Sequence, residues 1–224
     1  MSLFLFFDSF PNDSGPIYQE TLAGRFPVEP FNTYSNLLFL GIIIYFSIKV
    51  YRNMETHKFL AWSMPFLLLS YIGGTVYHAT RSHDFWMYLD WLPIVVMCFA
   101  VSVYFTARIK TSWKGRLWLI LIVLFLVVGI RLIPWARSIK TSVGYIGTAL
   151  GLLLPIFVYM YTKHMKNWIL ILFAIVCFGA AITFRVLDRF IYILPMGTHW
   201  LWHSFGAFAV FFLISYIYRD RLLK

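Results

Sequence analysis

The strongest constraint on this chain is a series of long apolar runs separated by short groups of charge. A run of about 18 or more apolar residues matches the hydrocarbon core of a bilayer. Within lipid every backbone N–H and C=O needs a partner inside its own segment, so such runs form helices. The pattern predicts seven: Asn32–Ile48, Phe59–Thr80, Phe85–Ala107, Leu117–Ile133, Thr141–Thr162, Asn167–Phe184 and His199–Tyr218. The fourth is the weakest, because Arg131 interrupts it. The expected fold class is therefore all-α, a polytopic membrane protein built as a seven-helix bundle. Residues 1–31 precede the bundle, 32–218 form it, and 219–224 make a short basic tail.

Composition agrees with this reading. Hydrophobic residues make up 61% of the chain and charged residues 12%, a balance that a solvated surface of this size cannot accommodate. The net charge of +10 raises the question of nucleic acid. The Lys and Arg residues, however, fall in short groups between apolar runs, the distribution of membrane loops rather than of a nucleic-acid face. No nucleic-acid partner is expected. Of the 19 basic residues, 7 fall on the side of the N-terminus and 12 on the other. That bias predicts an extracytoplasmic N-terminus and a cytoplasmic C-terminus. The first eight residues are apolar but lack a basic start, which argues against a cleaved signal peptide and for a position at the interface or against the bundle. Cys98 and Cys177 lie inside apolar runs and read as small buried hydrophobes.

Placed on this topology, the unusual residues gather. His78 ends the second helix, Asp90 lies near the start of the third, and His199 and His203 open the seventh. All four arrive at one membrane face, the extracytoplasmic one. His199 and His203 are spaced i, i+4 and so share one side of their helix. Three imidazoles with an open fourth position form a known arrangement for catalytic zinc, and a neighbouring carboxylate can move the proton of an activated water. His83 and Asp84 are lower-ranked rival ligands. His57 and His164 fall at the opposite face and read as solvated loop residues. Asp90 inside a helix is costly in lipid, and Arg81 is a candidate to neutralise it. Asp188, between Arg185 and Arg189, reads as an interfacial ion pair, with support of a ligating histidine as the lesser alternative. Transmembrane histidines also ligate haem, and His78 with one of the later pair would serve.

Four patches resemble the alkaline ceramidases and the wider superfamily of seven-helix membrane hydrolases. Glu29-Pro30-Phe31-Asn32-Thr33-Tyr34-Ser35-Asn36 is similar to the family's Glu-x-x-Asn-Thr-x-Ser-Asn at the start of helix one. Gly73 to His78 resembles its Gly-Ser-x-x-x-His, and Leu89-Asp90-Trp91-Leu92-Pro93 resembles its Leu-Asp-Glu-Leu-Pro. His199-Trp200-Leu201-Trp202-His203 resembles its His-x-Trp-Trp-His. The resemblance implies a zinc ion held by His78, His199 and His203, with Asp90 beside the activated water. It implies hydrolysis of the amide of a membrane lipid, ceramide or a related N-acyl lipid, to a fatty acid and an amine. The family's serine four residues before the first histidine, which stabilises the oxyanion, is Gly74 here, and Thr75 is the candidate substitute. The alternative is a lipid receptor or sensor of the same fold with a structural zinc. Some relatives also bind calcium through acids upstream of helix one. The resemblance extends that site to Glu29 and, more faintly, to Glu20.

Overall fold

The computed structural model describes residues 10–109, 111–192 and 194–222. The expected position of the first eight residues lies outside the described residues. The described elements are helical, with no strand among them: α1 (Pro30–Ser35), α2 (Leu37–Tyr51), α3 (Lys58–Thr80), α4 (Asp84–Arg108), α5 (Trp113–Leu124), a π-helical turn (Phe125–Gly129), α6 (Ile130–Leu132), α7 (Arg137–Thr162), α8 (Trp168–Phe190) and α9 (His199–Leu222). Seven spans among the described residues are long and apolar enough to cross a membrane. Helices α1 and α2 together form the first, and α5 through α6 form the fourth. The fourth, expected to be weakest, has one of the highest mean hydropathies, 2.3, over Trp113–Leu132. Large apolar side chains face outward along these helices, Trp62 at 76% and Tyr161 at 81% exposure. Lipid is the solvent that makes such a surface stable.

The chain divides into two compact units, residues 1–93 with 169–224, and residues 94–168. In the second unit, α5, the π-turn and α6 pack against α7. Arg131 is accommodated there by carbonyl and hydroxyl acceptors. Its guanidinium donates to the Val127 and Gly144 carbonyls at 3.0 Å and to Thr148 Oγ1 at 2.8 Å. Those bonds let a charged residue sit within a span.

The first unit carries the residues singled out above. Helix α1 packs against α3 and α9, and α2 against the same pair. Helix α3 meets the start of α4 through small residues: a Cβ at Gly73 would lie 2.6 Å from Asp90 N and 2.7 Å from Leu89 O. Only glycine permits that approach, the usual role of small residues between membrane helices. Ser70 Oγ seals the contact by donating to the Asp90 carbonyl. Residues 10–29 lie across the ends of these helices. The amides of Val28 and Glu29 donate to the carbonyls of Ala79 and His78 at 2.9 and 3.1 Å.

Candidate metal centre

Each of the three histidines is set by a different device. His78 sits in the last turn of α3, fully buried, and its Nδ1 lies 2.5 Å from Glu29 Oε2. A carboxylate accepts, so Nδ1 carries the proton and Nε2 is left to coordinate. His203, one turn into α9, has its Nδ1 3.0 Å from the Asn32 carbonyl and 2.9 Å from Ser35 Oγ. A carbonyl can only accept, so the proton is again on Nδ1 and Nε2 is free. His199 opens α9 and is fixed from below and beside. Its amide and that of Thr198 donate to Asp188 Oδ1 at 3.0 and 2.6 Å, and its ring stacks on Tyr18 with centroids 3.8 Å apart. Helix N-termini carry unpaired N–H groups and a positive dipole end, which is why a carboxylate from α8 caps this one. Gly197, at φ +69°, leaves space for that carboxylate; a Cβ there would strike Asp188 Oδ1.

One ligand nitrogen from each of His78, His199 and His203 lies within 4.8 Å of the others, and all three residues are buried. Among the described residues they are the group placed to hold a metal ion. The chemistry of the donors fits one. His78 Nε2 and His199 Nδ1 are buried with no hydrogen-bond partner, a state that costs free energy unless something coordinates them. The outer nitrogens of His78 and His203 are held by a carboxylate and a carbonyl, the usual support for metal-ligating imidazoles. The ring centroids are 4.7 Å apart for His78 and His203 and 5.5 Å for His78 and His199. That close, tilted packing suits a compact ion better than a haem held between two of these rings.

No known family model and no curated protein matches this chain.

The remaining candidates divide clearly. Asp90 is within electrostatic reach of His78, and its Oδ1 takes the space beside Gly74 where a Cβ would lie. Asn36 Nδ2 borders the same space. The Thr75 hydroxyl is buried and meets no hydrogen-bond partner, although helical threonines commonly bond a carbonyl one turn back. His83 and Asp84 are occupied elsewhere. His83 Nδ1 accepts from the Phe85 amide at 3.0 Å, and Asp84 Oδ1 accepts from the amide and hydroxyl of Ser14 at 2.6 and 2.9 Å. His57 is not a solvated loop residue: it is 1% exposed and stacks on Tyr218 at 4.1 Å. Asp188 caps α9 rather than serving only an interfacial charge. Arg81 goes to Asp13 and Glu29, not to Asp90.

The calcium expectation at Glu20 and Glu29 does not fit these residues. Calcium needs six to eight oxygens turned toward it. Glu20 spends its two on the amides of Phe31 and Asn32, at 2.6 and 2.9 Å, as the cap of α1. Glu29 Oε1 accepts from Arg81 Nη1 at 2.6 Å and Thr21 Oγ1 at 2.5 Å, while Oε2 faces His78 and the Asn32 amide nitrogen. Burial raises the Glu20 carboxyl above its ordinary value, against the pull of the two amides. For Glu29 burial acts the same way, but His78, Arg81 and the Thr21 hydroxyl outweigh it and hold the carboxyl well below the usual range. Asp13 carried no signal in the sequence, because its Pro-Asn-Asp-Ser-Gly stretch reads only as a turn, and Tyr18 stood out only as the neighbour of Glu20 and not as a ring that packs on a histidine.

Proposed function

We propose that this chain is a zinc-dependent intramembrane hydrolase that cleaves the amide of a membrane lipid, ceramide or a related N-acyl lipid, to a fatty acid and an amine. The observation that carries the proposal is the buried triad of His78, His199 and His203, with imidazoles supported from behind and the Asp90 carboxylate close by. The four patches similar to the alkaline ceramidases add the substrate class. Bound zinc supplies Lewis acidity for the carbonyl and for water. Asp90 accepts the proton of the attacking water and delivers it to the leaving amine nitrogen. The Thr75 hydroxyl, which no backbone carbonyl engages, donates to the oxygen that becomes negative. The acyl chain enters from the leaflet along the apolar helix surfaces. The positive-inside bias puts the triad at the extracytoplasmic face, with the C-terminus in the cytoplasm.

Gly74 favours a second reading, a lipid receptor of the same fold with a structural zinc. The space in which the family carries its serine side chain belongs to Asp90 Oδ1 here. One experiment separates the two. Zinc is measured in detergent-purified wild type and in His199→Ala, His203→Ala and Asp90→Asn, alongside release of fatty acid from N-acyl sphingosine. The proposal expects about one zinc per chain, its loss in both histidine variants, and zinc retained in Asp90→Asn with turnover down by about 100-fold or more. Zinc-loaded wild type without turnover supports the receptor instead. A wild type without stoichiometric metal refutes both.

A further inference from the structure

Arg81 heads the large, fully buried side chains among the described residues, and nothing in the chemistry above uses it. It follows the last residue of α3, three positions after His78, with φ 48° and ψ 39°. Left-handed backbone at a helix end normally selects glycine, because a Cβ is strained there. Here an arginine takes that conformation, and its side chain is strongly engaged. Its Nε and Nη2 donate to the two oxygens of Asp13 at 2.8 and 2.7 Å, and Nη1 donates to Glu29 Oε1 at 2.6 Å. The rings of Tyr77 and Tyr18 lie 4.8 and 5.7 Å from the guanidinium carbon. Both acids are buried with it.

Glu29 is therefore a bridge. One oxygen is held by Arg81 and the other receives the His78 Nδ1 proton, so the guanidinium sits two hydrogen bonds from a metal ligand. The planar fork of arginine suits this, since it fixes two carboxylates in set directions where an ammonium would not. Two carboxylates against one guanidinium leave a net negative charge behind His78, the sign that favours a cation at Nε2. The guanidinium also stands against the Glu29 oxygen that a second divalent ion would need. We propose that Arg81 is a built-in cation that positions His78 through Glu29, so that the triad binds its metal without calcium. This rests on the reading of the triad as a metal centre and extends it to what orients the ligands.

The test uses the full chain in detergent and reads metal binding, not turnover. Zinc affinity is measured by competition with a chromophoric chelator, with calcium added or with calcium removed by a selective chelator. Wild type, Arg81→Gly and Arg81→Lys are compared, and cobalt is substituted to read the ligand field by visible absorption. Glycine suits the left-handed backbone, so its effect reports the lost guanidinium and not a strained turn. The expected result is a wild-type affinity unchanged by calcium. Arg81→Gly weakens zinc by about 10–100-fold and shifts the cobalt spectrum, the range for losing a group that orients a ligand, and Arg81→Lys recovers part of it. A wild type whose zinc affinity rises several-fold with calcium overturns the inference without any variant. So does an Arg81→Gly protein that folds and binds zinc as tightly as wild type with the same cobalt spectrum. A wild type that binds no zinc removes the metal centre and this inference together.

Discussion

Adding one methyl group at Gly73 tests how the carboxylate of α4 is brought to the triad. In Gly73→Ala the new carbon would stand 2.6 Å from Asp90 N and 2.7 Å from Leu89 O. Carbon contacts relax at about 3.5–4.0 Å, so the start of α4 must retreat by about 1 Å. Its neighbours are backbone atoms and cannot rotate aside. Overpacking of this kind costs about 1–3 kcal/mol. The bond from Ser70 to the Asp90 carbonyl stretches too, at about 0.6 kcal/mol, while alanine returns up to about 1 kcal/mol of helix propensity. The net loss is about 1–3 kcal/mol, which lowers the unfolding midpoint by roughly 2–12 °C for a chain of this size. Gly179→Ala is the control. It is also helical, but nothing lies within 4 Å of its Cβ, so the same substitution is neutral or slightly stabilising. Thermal unfolding in detergent is followed with zinc content and lipid-amide turnover. Because α4 carries Asp90, turnover in Gly73→Ala falls on the order of 100-fold while zinc stays bound. A Gly73→Ala protein as stable and active as Gly179→Ala refutes the close approach of α3 and α4.

Two further outcomes follow from the site. Thr75→Val keeps the shape of the side chain and removes its unpartnered hydroxyl. A donor to the oxyanion gives a fall in kcat on the order of 100-fold or more with zinc unchanged, whereas an idle hydroxyl gives unchanged kinetics and a slightly higher unfolding midpoint. Asp188→Ala uncaps α9 at Thr198 and His199. It lowers stability by about 1–2 kcal/mol and weakens zinc about 10-fold, and a chelator titration with unchanged affinity rejects the link between cap and ligand.

The spans were legible because lipid imposes a crude rule, length without charge, that each run states by itself. The rule misled where charge is satisfied locally. The sixth span was expected to stop at Phe184, since Arg185 follows, yet α8 continues to Phe190. Arg185 lies over the Trp202 ring at 5.2 Å, and Asp188 accepts from the amides that start α9, so both charges are engaged by protein. The triad could be anticipated from three histidines at one depth. Its supports could not, because they join residues remote in sequence: Asp13 with Arg81, and Tyr18 with His199. His57 misled for the opposite reason. It is flanked by Glu55 and Lys58, which form an exposed ion pair, yet it stacks on a tyrosine from the far end of the chain. A local window shows the charges and not the ring that covers the imidazole.

The bond between His203 and Asn32 joins residues 171 positions apart. During synthesis, then, His78 and its Glu29–Arg81 support are in the membrane well before α9 leaves the ribosome. The triad cannot be completed until that helix inserts and brings His203 against α1 and His199 against Tyr18. On the proposed zinc centre, loading is a late step of biogenesis, and the ion then acts as a clasp between early and late segments. An ion bound only by the folded form would deepen that closure by mass action, and its removal would be felt first at α9 and its attachment.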